Sequence, residues 1–399
     1  MRFTALLFCF LVPALLQSVR SHGFSLQQDV RSHGFPLPQD IRTHCFSLQQ
    51  DIRSHGFPLP QDIRPAGQQT SDDKKKASTE KELSAAKETP SAMETTDANM
   101  GDSLHDAPPP LNRRAIRTVA GIQVAGYTAA LIALNHAWYK DHPRTSLHFY
   151  NDMADWKQMD KLGHLTTTYH LSRVGAESFR LSGMDRKRSA WLGSASGLGF
   201  MTVIEILDGL SEEWGFSVAD QAANMLGPAI FVGQEYLWQE QRLTWKFSFQ
   251  KTELSAYRPE LLGSSLAENI IKDYNGMSFW ASFNPGSFLT ASGSGSGSDS
   301  GPDSGHWEWL PTWLNIAIGY GAYGMLGGSE NPTHHEGVPL PHFERHRRWL
   351  LSPDIDLTRI PTQSQFLKTL FHALNFMKVP APAIEYNSQH GWQFHLIYF

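Results

Sequence analysis

Cysteine is nearly absent. Cys9 and Cys45 are the only two in 399 residues, which excludes a disulfide scaffold and any thiolate-based zinc or iron–sulfur site. Tryptophan is missing from the first 137 residues, although 12 follow between Trp138 and Trp392. Residues 65–110 hold no aromatic residue and only two leucines, Leu83 and Leu104, too little apolar area to offset the entropy of ordering a chain. Basic charge is not in excess either. The net charge is −5, so no nucleic-acid partner is expected. What can build a core lies beyond residue 111.

The N-terminal third reads as three segments. Met1 and Arg2 followed by the apolar run Phe3 to Leu16 form a signal peptide over 1–18, the run being too short to span a bilayer. Cys9 lies inside that run rather than just after it, so no lipid-attachment site follows. From 19 to 64 an eleven-residue unit recurs, marked by Arg20, Arg31, Arg42, Arg53 and Arg64. Its histidines stand one per unit among Pro and Gly, which favours a disordered repeat over a metal tract. Residues 65–110, closed by Pro108-Pro109-Pro110, read as a disordered spacer.

Four helical stretches follow between 111 and 245. Ile116 to Trp138 is apolar and rich in Ala and Gly. Asp155 to Leu181 is helical in period but charged, Ala190 to Leu210 carries small residues suited to close packing, and Val218 to Trp238 enters through Ser217, a good N-cap. Short turns between them predict a four-helix antiparallel bundle in a mainly α protein. Arg173, Glu177 and Arg180 along the second helix make four true spans too costly, so the bundle is expected to sit on or dip into a membrane.

Three motifs carry its polar residues. Asp160-Lys161-Leu162-Gly163-His164 sets Asp160 and His164 on one helical face, Glu205-Ile206-Leu207-Asp208 does the same for two carboxylates, and Ser217 caps a turn in which Asp220 and Asn224 share a face. In an up-down bundle the start of helix two, the end of helix three and the start of helix four meet at one end. Asp160, Lys161, His164, Glu205, Asp208, Ser217, Asp220 and Asn224 are therefore expected together. Three chemistries fit them. His164, Glu205, Asp208 and Asp220 could hold one divalent metal ion. Asp208 and His164 could act as an acid–base pair. Or the set is a buried network fixing helix register, with Lys161 neutralising an acidic partner.

The same motifs, through W-K-Q-M-D-K-L-G-H, Y-H-L-S-R, I-E-I-L-D-G, E-E-W-G-F-S and D-Q-A-A-N-M-L-G, resemble the YfiM-like family of predicted periplasmic lipoproteins of unknown function. The likeness covers about 111–245, and the region from Tyr257 onward resembles that of longer members. A looser likeness reaches VanZ-like proteins. Neither implies a reaction or a set of catalytic residues. The lipid-bearing Cys of the YfiM-like family has no counterpart here.

Beyond the bundle, 246–290 reads as an amphipathic connection that turns strand-like from Ser278, 291–305 as a Ser/Gly linker, and 306–399 as a smaller, aromatic-rich α+β region. In it, Asn315 to Gly324, Asp354 to Ile360 and Trp392 to Phe399 read as strands, Gln365 to Lys378 as a helix, and His342 to Arg348 as a basic loop. Strands too few for a barrel predict a single sheet packed on the bundle. The sequence thus points to an exported, membrane-associated envelope protein of structural or interaction type, on the periplasmic side, with lipid or an envelope protein as partner. The alternatives are a metal-dependent hydrolase or lipid-modifying enzyme, and a module binding an amphiphile or glycan.

Overall fold

The computed structural model describes residues 112–140, 142–289 and 311–399. The signal-like segment, the repeats, the spacer and the Ser/Gly linker lie outside the described residues. Helix α1 spans Arg113–Leu134, α2 Met159–Leu181, α3 Arg186–Gly209 and α4 Val218–Leu237. Strand β1 covers Leu243–Phe249, helices α5 and α6 cover Pro259–Leu262 and Leu266–Lys272, and β2 covers Met277–Phe283. Then come α7 (Gly286–Leu289), β3 (Leu314–Tyr323), the short pair β4 (His334–His335) and β5 (Val338–Pro339), β6 (His346–Ile355), α8 (Gln365–Leu374), β7 (Ala381–Asn387) and β8 (Gly391–Tyr398).

The protein is α+β rather than mainly α, because three strands escaped the sequence pattern. β1 runs straight across residue 245, β6 begins at His346 inside the expected basic loop, and β7 starts on Ala381-Pro382. Lys246 at an inward position of β1, and Arg347, Pro353 and Pro382 at outward positions of β6 and β7, mask the alternation. The six strands form one antiparallel sheet in the order β1-β2-β3-β6-β7-β8. The outer edge of β1 is covered by the chain after α8: Phe247 N–H donates to the Phe376 carbonyl and Lys378 N–H to the Phe247 carbonyl, each at 2.8 Å.

Helices α2, α3 and α4 pack on one another, whereas α1 buries only Ala130 and Leu134. The bundle therefore has three packed helices. α1 touches the rest mainly through its C-terminal end, where Ala130 and Leu134 join Leu171, Phe200 and Ile204. The other helices approach closely where glycine permits it. A Cβ on Gly193 would fall 2.1 Å from the backbone nitrogen of Ala176, and one on Gly227 would lie 2.4 Å from the Leu165 carbonyl. Caps fix the helix starts: Asp185 accepts from Arg188 N–H and Ser217 from Asp220 N–H, both at 3.0 Å.

The bundle meets the sheet through α2. Met159 packs with Phe247, Phe249, Tyr274, Met277 and Phe279 in one buried cluster, each such side chain contributing about 1.5–3 kcal/mol of burial. His170, also buried, lies 2.7 Å from the Trp245 carbonyl through Nε2. Burial, reinforced by the charge of Arg173, pushes its imidazole down to about 3, so it is neutral and must donate its Nε2–H to that carbonyl.

Candidate functional site

α2 is entered through an unusual turn. Trp156, Lys157 and Gln158 all have positive φ, at 49°, 52° and 65°, a left-handed run that costs roughly 1–2 kcal/mol per residue for side chains bearing a Cβ. The surroundings hold it. Trp156 N–H donates to the Gly328 carbonyl at 2.8 Å, Tyr320 OH to the Lys157 carbonyl at 2.5 Å, and Arg347 to Gln158 Oε1 at 2.7 Å. The turn aims the first two turns of α2, with Asp160, Lys161 and His164, at the end of α3 and the start of α4.

Lys161 sits at the centre. Its Nζ lies 2.7 Å from Asp152 Oδ2, 2.8 Å from Asp220 Oδ1 and 3.4 Å from Asp160 Oδ2. Ser217 caps α4 and also donates to Asp152 Oδ1 at 2.5 Å. Tyr274, on the loop before β2, donates its hydroxyl to Asp160, so the network ties the sheet side to the bundle. The charged side chains here are only 1–16 % exposed. Burial would lower the Lys161 ammonium, yet Asp160, Asp220 and Asp152 hold it above its usual range. Burial likewise opposes charge on Asp152, but hydrogen bonds from Asp220, Lys161 and Ser217 keep it low. Asp220 is pushed up to about 9 by burial, by the charge of Asp160 and by its hydrogen bond to Asp152. Among the described residues Lys161 is set against the carboxyls of Asp152, Asp160 and Asp220, and Asp220 is the one that burial and its acidic neighbours push toward the protonated form.

His164 has two distinct sides. Its Nδ1 lies 3.1 Å from Asn224 Oδ1 and 3.3 Å from Glu205 Oε1. Both are acceptors, with Asn224 oriented by its Nδ2 donating to Glu205 at 3.5 Å, so Nδ1 carries a proton. Nε2 faces Asp160 Oδ1 and Asp220 Oδ2, each at 3.9 Å, too long for a hydrogen bond. One ligand atom from each of Asp160, His164 and Asp220 lies within 4.8 Å of the others. Ligands held about 2.0–2.2 Å from a shared cation reach that spacing with little closure.

The structure thus brings together Asp160, Lys161, His164, Glu205, Ser217, Asp220 and Asn224, and separates Asp208. Glu205 belongs to the Nδ1 side of His164, where it orients the ring instead of facing Asp160 and Asp220. Asp208 accepts from the Tyr139 hydroxyl at 2.8 Å, away from His164, because three residues of helix turn it about 60° from Glu205. The ligand atoms that converge are those of Asp160, His164 and Asp220, a group that includes neither Glu205 nor Asp208 of the expected four. Two members escaped the sequence: Asp152 lies in a loop outside the helical period, and Tyr274 stands 114 residues from its partner. Of the expected basic loop, Arg348 instead turns inward to the Asn275 carbonyl at 2.8 Å, while His335 pairs with Glu260 at 3.4 Å.

Residues 149–233 match the profile of a family described as predicted periplasmic lipoprotein (DUF2279). The match spans every cluster residue except Tyr274. No curated protein and no solved structure shows a significant match to the chain.

Proposed function

We propose that the chain is an exported, membrane-associated envelope protein of structural or interaction type, whose buried polar cluster locks the helical module and the loop before the sheet into one rigid unit. The observation that carries the membrane part is α1, a helix of 22 residues, apolar enough by composition to cross a bilayer, with almost none of it covered by protein. α3 passes the same test of length and composition but is nearly half packed inside the bundle, as a core helix is. The cluster supports the structural part: one ammonium holds three carboxyls from three chain segments, and such networks fix register. Fractionation tests the reading. The full chain is expected in the membrane pellet after a high-salt wash and in the supernatant only with detergent. Recovery in the salt wash would overturn it.

A second reading, a metal-dependent enzyme or metal-binding module, is favoured by the orientation of His164. Its Nδ1–H is engaged by Glu205 and Asn224 while Nε2 is aimed between two carboxyls, the arrangement in which a carboxylate orients a metal-ligating imidazole. Asp160, His164 and Asp220 would supply the ligands. Purified without chelator, the protein would then carry about one divalent ion per chain, lost in Asp220→Asn, and chelator would lower its melting temperature through mass action. Metal content at background level with an unchanged melting curve would remove this reading.

A further inference from the structure

The sheet buries a mixed face, in which charged and hydroxyl side chains stand beside an apolar cluster of Trp280, Ala317, Leu350, Ala383 and Tyr398. Strand register places Lys246, Trp280, Gly319, Leu350 and Glu385 in one row on one face. That face also carries Ser278, Ser282, Ser352 and Asp354, all buried. The sheet curls over it far enough for Tyr398 on β8 to hydrogen-bond Ser278 on β2 at 2.9 Å. The opposite face is apolar. On β1 and β2 it is covered by α2, where Phe247 and Phe279 join the core under Met159. That cover extends to Tyr320 and Ala322 on β3, while from Ile316 and Ile318 on β3 across β6, β7 and β8 the same face continues uncovered among the described residues. Trp349, Tyr386 and Trp392 form one row across it, at 52 %, 44 % and 75 % exposure, and Leu351, Ile384 and Phe394 form the next, at 49 %, 44 % and 68 %.

A sheet in water buries its apolar face and wets its polar one; charged groups inside and an apolar face outside are the pattern of a sheet whose solvent is hydrocarbon. We propose that this open half of the apolar face is inserted into one leaflet of a phospholipid bilayer. The inference rests on the membrane-associated reading above. Three features choose lipid as the occupant. The aromatics lie in a row at one end, Tyr386 against Trp392 with centroids 5.0 Å apart and Tyr320 against Trp349 at 4.9 Å, as at a headgroup boundary. Two positions from Trp349 on the same face stands Arg347, which donates to Tyr320 OH and Gln158 Oε1 and marks the polar border of the face, whereas the face from Trp349 to Pro353 holds no charge on β6 or on its partners. That charge-free span is four residue steps, ~13 Å of strand, which matches one leaflet of a ~30 Å core and not its full thickness.

The test is flotation of the full-length chain with vesicles of phosphatidylcholine and phosphatidylglycerol. It compares the wild type with Leu351→Glu/Phe394→Glu. Circular dichroism and melting confirm that the variant folds, and light scattering gives oligomeric state. The wild type is expected to float, and brominated acyl chains in the same vesicles to quench its tryptophan fluorescence, with quenching at least 2-fold weaker in the floated glutamate pair. If the wild type floats but its tryptophans are not quenched, or are quenched as in the glutamate pair, the sheet face is not the contact, while the membrane-associated reading stands on α1. If the wild type does not float, that reading fails and the inference with it. A wild-type dimer that the glutamate pair turns into a monomer, with vesicle binding unchanged, assigns the face to a second copy. That result overturns the proposal.

Discussion

Replacing Lys161 with methionine is expected to destabilise the described body by about 3–5 kcal/mol, the range for stranding buried charge by removing its partner. The ammonium contacts Asp152, Asp160 and Asp220 at 2.7–3.4 Å, and no other cation among the described residues comes as near to all three. At about 2–4 °C per kcal/mol for a body of this size, the melting temperature falls by roughly 10 °C. Asp220→Asn separates charge from packing. Asp220 keeps its proton up to about pH 9, so a neutral amide of the same shape is expected to cost about 1 kcal/mol or less. A Lys161→Met protein that melts with the wild type would show that the cluster is wet and carries no structural load.

The second large effect is expected inside the curled sheet. Asp354 accepts from Ser282 at 2.6 Å and faces Lys246 at 2.7 Å and Lys378 at 3.8 Å, with all three charged side chains fully buried. The lysines also donate to carbonyls, Lys246 to Ile355 and Lys378 to Pro353 and Val379, at 2.7–2.8 Å. Asp354→Ala leaves two ammonium groups in a protein interior without a counter-charge, and a loss of about 3–5 kcal/mol is again expected. Replacing all three charges together with apolar residues of similar volume should restore stability to near the wild type, since the desolvation cost vanishes with the charges. Melting of the single and triple variants checks this; a triple variant as unstable as the single one would refute it.

The same interior sets a dependence on pH. Burial, added to the charge of Lys246 and opposed by Asp354, pulls Lys378 down to about 8. Between pH 8 and its unfolded value near 10.5 the folded state binds fewer protons than the unfolded one, so this group's contribution to stability rises with pH across that window. Asp354 holds Lys378 up, so in Asp354→Ala the ammonium loses its proton at a lower pH, and the loss of stability should be largest in acid, shrink as pH rises toward 8 and level off above it.

Local chemistry was legible in the sequence wherever the relevant residues share a helix. Asp160, Lys161 and His164 fall on one stretch of α2, Ser217, Asp220 and Asn224 on the first turns of α4, and the period of 3.6 aims each set before any packing occurs. Short connections then bring the two helix starts and Glu205 to one end of the bundle. The sequence also marked β2, β3 and β8 by their alternation, and the packing of a single sheet on the helices. It could not say which face of that sheet is inside. Alternation defines two faces but not their solvent, and the expectation of an apolar interior fails where the chain curls around Lys246, Asp354 and Lys378. Those three meet only through strand register over more than a hundred residues. Asp152 and Tyr274 reach the cluster from loops, where no period exists to place them. Asp208 was lost for the opposite reason: its helix is certain, but a 60° rotation decides whether a carboxylate faces His164 or Tyr139, and only the packing of α3 against its neighbours sets that angle.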